Sequence, residues 1–130
     1  MTQVPQQRQA QGQKCGIVFG YGALEVVPQD AGSPQAEACF WQAFQHCRPA
    51  TLVFNSGGIG KGIAGKRVIR TFTIYKVNGT CVISDTRQES TSPNALSPAT
   101  TYTCTGLLQH PRALDFIGCG RDGTIEVLGA

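Results

Sequence analysis

Six cysteines, Cys15, Cys39, Cys47, Cys81, Cys104 and Cys119, are spread over nearly the whole of a 130-residue chain. An even, dispersed set is the pattern of a disulfide framework, which persists only where thiols are not kept reduced. A structural zinc site would instead want close pairs such as C-x-x-C, or cysteines joined by histidines at ligand spacing. The nearest pairs here are Cys39/Cys47 and Cys104/Cys119, and the two histidines, His46 and His110, complete no such spacing. The cysteines therefore point to an extracytoplasmic domain (secreted, periplasmic or at the cell surface), with no metal and no other cofactor expected.

The surface chemistry agrees with that location. Only 15% of the residues are charged, against about a quarter in an ordinary cytosolic domain, so the surface leans on Thr, Ser, Gln, Asn and Gly. A net charge of +3 is too small to imply a specific nucleic-acid partner, because affinity for phosphates grows with the number of clustered cations. The expected partner is a protein, a glycan or an anionic surface. No run of about 18 apolar residues is present that would cross a membrane as a helix. The polar, Gln-rich arm Thr2 to Gln13 resembles the spacer behind an export signal or lipid anchor, with Met1 in place of that segment. Any membrane attachment is expected through such an anchor alone.

Residues 1–14 are predicted to be a disordered arm, and residues 15–130 a single domain. Gly16 to Val27 reads as one or two strands ended by Pro28. Ser33-Pro34 reads as a helix start, with Ser33 as N-cap and Pro34 where its missing N–H costs nothing. The helix is predicted to run from Pro34 to Cys47, before Pro49. Ala36, Cys39, Phe40, Ala43, Phe44 and Cys47 recur at helical spacing and make one apolar stripe. Cys39 and Cys47 lie about 12 Å apart along that axis, so each must bond a partner elsewhere.

Strands are predicted at Thr51 to Asn55, Arg67 to Val77, Thr80 to Asp85, Thr101 to Thr105, Leu114 to Cys119 and Thr124 to Leu128, with Asn78-Gly79 as a tight hairpin turn. In Thr101 to Thr105, Tyr102 and Cys104 share one face and the threonines the other. Residues 86–100 read as a long loop, and the alternation of a βαβ unit is not evident. The expected fold is α+β: one helix packed across a twisted antiparallel sheet, stapled by disulfides. Its strand-helix-meander order resembles the cystatin-like grip, an analogy of fold that implies no function.

The segment Ser56 to Arg67 contains G-x-G-x-x-G at Gly60, Gly62 and Gly65, and nearly a phosphate-binding loop. Both motifs need a helix directly afterwards. RVIRTFTIYKV is strand-like, and Arg67 stands where Ser or Thr would hold magnesium, so nucleotide binding is rejected. The segment reads as a flexible hairpin loop, or as a mobile basic tip of Lys61, Lys66, Arg67 and Arg70 that would touch an anionic partner. The Ser90 to Thr100 loop is a second candidate binding segment.

Catalysis finds little support. His46 is expected to cap the helix end, and His110-Pro111-Arg112 to lie in an exposed turn. A small ribonuclease would combine a Glu base, a His acid and an Arg. His110, Glu126 or Glu89, and Arg112 or Arg121 fit those roles only loosely. A protease inhibitor of the grip type would need a Gln-x-Val-x-Gly hairpin and a Pro-Trp hairpin, and Trp41 lies within the helix. Asn78-Gly79-Thr80 matches a glycosylation sequon, but Asn-Gly is also what the turn demands.

The stretch Cys39 to Leu52 (CFWQAFQHCRPATL), with Thr80 to Asp85, Tyr102 to Leu107 and Gly118 to Gly123, resembles a group of uncharacterised bacterial exported proteins and lipoproteins. The resemblance implies export and no particular activity. Of the fifteen pairings of six cysteines, the reading favours Cys39 and Cys47 bonded to Cys81 and Cys104, and Cys15 to Cys119. A non-enzymatic binding or structural module is expected, with a secreted hydrolase of ribonuclease type as the first alternative. An open edge strand leaves a homo-oligomer open.

Overall fold

The computed structural model describes residues 12–20, 33–57, 67–92, 95–111 and 113–128. Of these, 64% lie in strands and 17% in helices. One sheet holds β1 (Gln13–Phe19), β2 (Ala50–Gly57), β3 (Arg67–Val77), β4 (Thr80–Ser92), β5 (Ala95–Leu96) and β6 (Thr100–Cys104). Its order is β1-β2-β3-β4, with β5 and β6 both paired to β4. A second, antiparallel sheet is the meander β7 (Gly106–His110), β8 (Ala113–Ile117) and β9 (Ile125–Leu128). The helix α1 (Ser33–Gln45) separates β1 from β2.

This overturns the expected α+β arrangement of one helix across one antiparallel sheet. The molecule is mostly sheet, in two sheets, and β1 runs parallel to β2. A parallel pair needs a long crossover, and α1 supplies it. The chain thus opens with a βαβ unit where none was evident, which also removes the cystatin-like order. Residues 86–100 are not a loop: β4 continues through Ser92 and β5 and β6 pair with it. The signal was hidden because the positions of β4 that face inward are Asp85, Arg87 and Glu89, so apolar alternation stops while the strand goes on. His110 likewise ends a strand, β7, which carries a single buried residue, Leu107, and little signal of its own.

Other elements follow their sequence closely. β3 spans the predicted Arg67–Val77, and Asn78 and Gly79 turn with φ of 52° and 81°, the positive values that a type I′ hairpin requires. The helix buries Ala36, Phe40 and Ala43 completely or nearly so, with Phe44, Cys39 and Cys47 at the margin. It ends as a Schellman motif. The Arg48 N–H donates to the Ala43 carbonyl at 2.8 Å, the Cys47 N–H to the Phe44 carbonyl at 3.0 Å, and Cys47 takes a left-handed φ of 47°. His46 is an exposed turn residue just beyond. The side chain of Ser33 and the Pro28 to Gly32 segment lie outside the described residues.

The inward face of the large sheet carries Ala50, Leu52, Phe54, Phe72, Ile74 and Ile83. The helix covers the β1/β2 end, and the small sheet covers the rest through Phe116. That ring stacks on Phe72 with centroids 3.7 Å apart and meets Phe40 at 5.5 Å. One Phe thus joins both sheets and the helix, in contacts each worth about 0.5–1.5 kcal/mol beyond area burial.

All six cysteines are bonded: Cys15–Cys39, Cys47–Cys81 and Cys104–Cys119. Cys39 and Cys47 do reach different partners, and Cys47–Cys81 lies within the expected set. Cys15–Cys119 does not form, and Cys39 bonds Cys15 on β1 rather than Cys81 or Cys104. The β7/β8 hairpin pairs Gly106 with Ile117, so Cys104 and Cys119, two residues further out on each arm, meet in register. Missing β7 hid that pairing.

Candidate functional site

Of the cations proposed for a basic tip, Lys61 and Lys66 lie outside the described residues, as does the Gly58 to Gly65 run. Arg67 is the partly buried first residue of β3. Arg70 is not a surface cation: it is buried inside an ion-pair network. Its Nη1 donates to Asp85 Oδ2 at 2.5 Å and its Nη2 to Asp122 Oδ2 at 2.9 Å. Arg87 adds contacts to Asp122 at 3.5 Å and to Glu89 at 2.7 Å.

Register explains the arrangement. Asp85 lies opposite Phe72 and Arg70 opposite Arg87, so the Arg70–Asp85 pair is a diagonal one on the inward face. Asp122 comes from the 3-10 turn Gly120–Asp122 that follows Cys119. Gly120 is required there: its φ is 60°, and a Cβ would fall 2.3 Å from the Tyr102 ring. Burial pushes the Asp85 carboxyl above the usual range, outweighing the attraction of Arg70. Its Oδ1 is buried without a hydrogen-bond partner among the described residues.

An oxygen of Asp85 and the sulfurs of Cys104 and Cys119 lie within 4.8 Å of one another. Those sulfurs are bonded to each other, so a cation would meet one carboxylate and no thiolate. The network joins three carboxylates to two guanidiniums and contains no histidine and no nucleophile. Chemically it clamps the Gly120 turn and the Cys104–Cys119 bridge to the large sheet.

The second group is on the small sheet. His110 Nε2 lies 2.7 Å from Asp115 Oδ2, and Asp115 is the register partner of Glu126. All three are on the outer face, with the exposed Leu108 opposite Asp115. The structure therefore puts His110 and Glu126 on one face with a carboxylate between them. Glu89 is a half-buried partner of Arg87 at the edge of the Arg70 network, Arg121 is exposed on the 3-10 turn, and Arg112 lies outside the described residues.

The third group was not singled out from the sequence. On the outer face of the large sheet, Thr51, Thr73, Ser84 and Thr103 are successive register partners across β2, β3, β4 and β6. The next row is Val53, Thr71, Thr86 and Thr101. Their inward neighbours Leu52, Phe72 and Asp85 are fully buried, while these side chains retain exposure. Thr86 and Thr101 hydroxyls bond at 3.1 Å. Rows about 6.8 Å apart on strands about 4.8 Å apart make a regular, mostly hydroxyl grid across β2, β3, β4 and β6, and on β1 the first row ends at the exposed Lys14 and the second at the exposed Ile17. Its sequence signal was the Thr-x-Thr of Thr71-Phe72-Thr73 and Thr101-Tyr102-Thr103. Only the register of four strands turns those pairs into a surface.

No family model, no curated protein and no solved structure matches the chain. What the fold and its cysteines define is a class: a two-sheet, mostly β domain with three disulfides, which is compatible with an extracytoplasmic location.

Proposed function

We propose that the protein is a non-enzymatic, extracytoplasmic binding module whose working surface is the outer, hydroxyl-bearing face of the large sheet. The observation that carries the reading is the uncharged two-row grid of Thr and Ser. The eight positions of the two rows on β2, β3, β4 and β6 carry no charged side chain, and the first row meets one only at Lys14 on β1, although the chain as a whole is cationic. The Arg70 network on the inward face acts as the scaffold's internal clamp. Three bridges support work in an oxidising compartment, secreted or at the cell surface.

Co-sedimentation with isolated bacterial cell envelopes tests it. The wild-type protein is expected to pellet with envelopes, and Thr71→Lys/Thr86→Lys, with an unchanged melt, to stay in solution. Equal pelleting of both would overturn the assignment of this face.

The His110–Asp115–Glu126 group keeps a second reading in play, the small secreted hydrolase of ribonuclease type. A base and an acid on one open sheet face favour it; no described cation joins them to hold a phosphate. RNA cleavage abolished by His110→Ala would establish it. The inhibitor reading rested on the grip-like order and is not carried forward.

A further inference from the structure

We propose that the hydroxyl grid binds an uncharged polysaccharide. This rests on the reading of that face as the working surface and names its ligand. Charge complementarity makes the first selection. The chain carries +3 overall, yet Thr51, Thr73, Ser84 and Thr103, with the row through Thr71 and Thr86, carry nothing ionisable. Lys14, opposite Thr51 on the edge strand β1, and Arg67, at the start of β3, lie at its margins. An anionic polymer gains nothing over the centre of such a face.

Hydrogen-bond chemistry makes the second selection. Each Thr or Ser hydroxyl donates one bond and accepts two, as does each hydroxyl of a sugar. An apolar protein patch laid on the grid would satisfy none of the hydroxyls beyond the Thr86–Thr101 pair, at about 1–3 kcal/mol for each one fully buried without a partner. A polyol satisfies them. The Thr methyls and Val53 add small apolar contacts beside each hydroxyl, suited to the C–H faces of a sugar ring. β-Branched side chains are stiff at χ1, so the grid is ordered before a ligand arrives and little entropy is lost on binding. The repeat of the grid suits a ligand that itself repeats, because a chain can engage in several equivalent registers.

The test is affinity electrophoresis of the oxidised 130-residue chain in gels containing a neutral glucan, a mannan or a galactomannan, with pull-down on cellulose and chitin, and heparin and hyaluronate as anionic contrasts. At least one neutral polymer is expected to retard the protein equally at low and high salt. The nearly isosteric Thr71→Val/Thr86→Val, which keeps β-branching and removes two hydroxyls, is expected to weaken that binding tenfold or more. Retardation by the anionic polymers alone, or neutral binding unchanged in the Val variant, would overturn the proposal. So would a dimer in sedimentation that Thr71→Lys/Thr86→Lys dissociates, since a second copy would then occupy the face. If envelopes still capture the protein through Thr71 and Thr86 while no neutral polymer does, the ligand assignment fails and the working face stands.

Discussion

Cys47, which closes α1 in a left-handed conformation with φ of 47°, is bonded to Cys81 at the start of β4. The position in a Schellman motif that usually holds glycine is here held by a cross-link, so one residue both ends the helix and ties it to the large sheet.

Bridge and strain can be separated. Cys47→Ala/Cys81→Ala should lose about 3 to 4 kcal/mol of stability, the entropic value for a bridge with a separation of 34 residues. Cys47→Gly/Cys81→Ala removes the same bridge but relaxes the left-handed residue, and should recover about 1 kcal/mol of that loss. Guanidinium unfolding of the two variants decides it; identical stabilities would mean that Cys47 is not strained.

Arg70 and Asp85 should behave as one unit. Arg70→Met leaves Asp85 and Asp122 without their shared donor and should cost about 3–5 kcal/mol, as expected for breaking a buried pair. Adding Asp85→Asn to it should cost much less than Asp85→Asn does alone, with a coupling of about 1–3 kcal/mol. Additive effects in a double-mutant cycle would show that the two side chains stand apart in solution.

The pH dependence has an unusual sign. A carboxyl raised by burial binds its proton more tightly in the folded state than in the unfolded one, so between the unfolded value and the raised folded value the native state carries more protons. Stability from Asp85 is therefore greatest in acid and falls as pH rises through that window. Urea titrations of wild type and Asp85→Asn at a series of pH values should show the wild type losing ground to the variant as pH rises from about 4. A wild type that gains on the variant as pH rises would mean that Arg70 outweighs burial.

Two glycines should respond differently to alanine. Gly79, with φ of 81°, has open space where a Cβ would go, whereas a Cβ at Gly120 would meet the Tyr102 ring at 2.3 Å. Gly79→Ala should cost only the left-handed strain, about 1–2 kcal/mol. Gly120→Ala should cost at least ~1 kcal/mol more, because its Cβ would meet three Tyr102 side-chain atoms within 3.1 Å and the ring must move. Matching thermal unfolding midpoints would contradict that packing.

The sequence by itself determined the features whose signals are local or combinatorial. Six dispersed cysteines announced three bridges, helical spacing from Ala36 to Phe44 announced the buried face of α1, and Asn78-Gly79 fixed the β3/β4 hairpin. The tertiary structure decided what depends on partners distant in the chain. A period-two pattern reveals a strand only when its inward side chains are apolar; in the second half of β4 they are Asp85, Arg87 and Glu89, made tolerable by Arg70 on β3 and Asp122 beyond β8. The parallel β1/β2 pair and the in-register meeting of Cys104 with Cys119 each follow from strand pairing, which composition does not encode. The hydroxyl grid has the same origin: Thr-x-Thr on one strand is ordinary alternation, and becomes a surface only when hydrogen bonding sets four strands side by side.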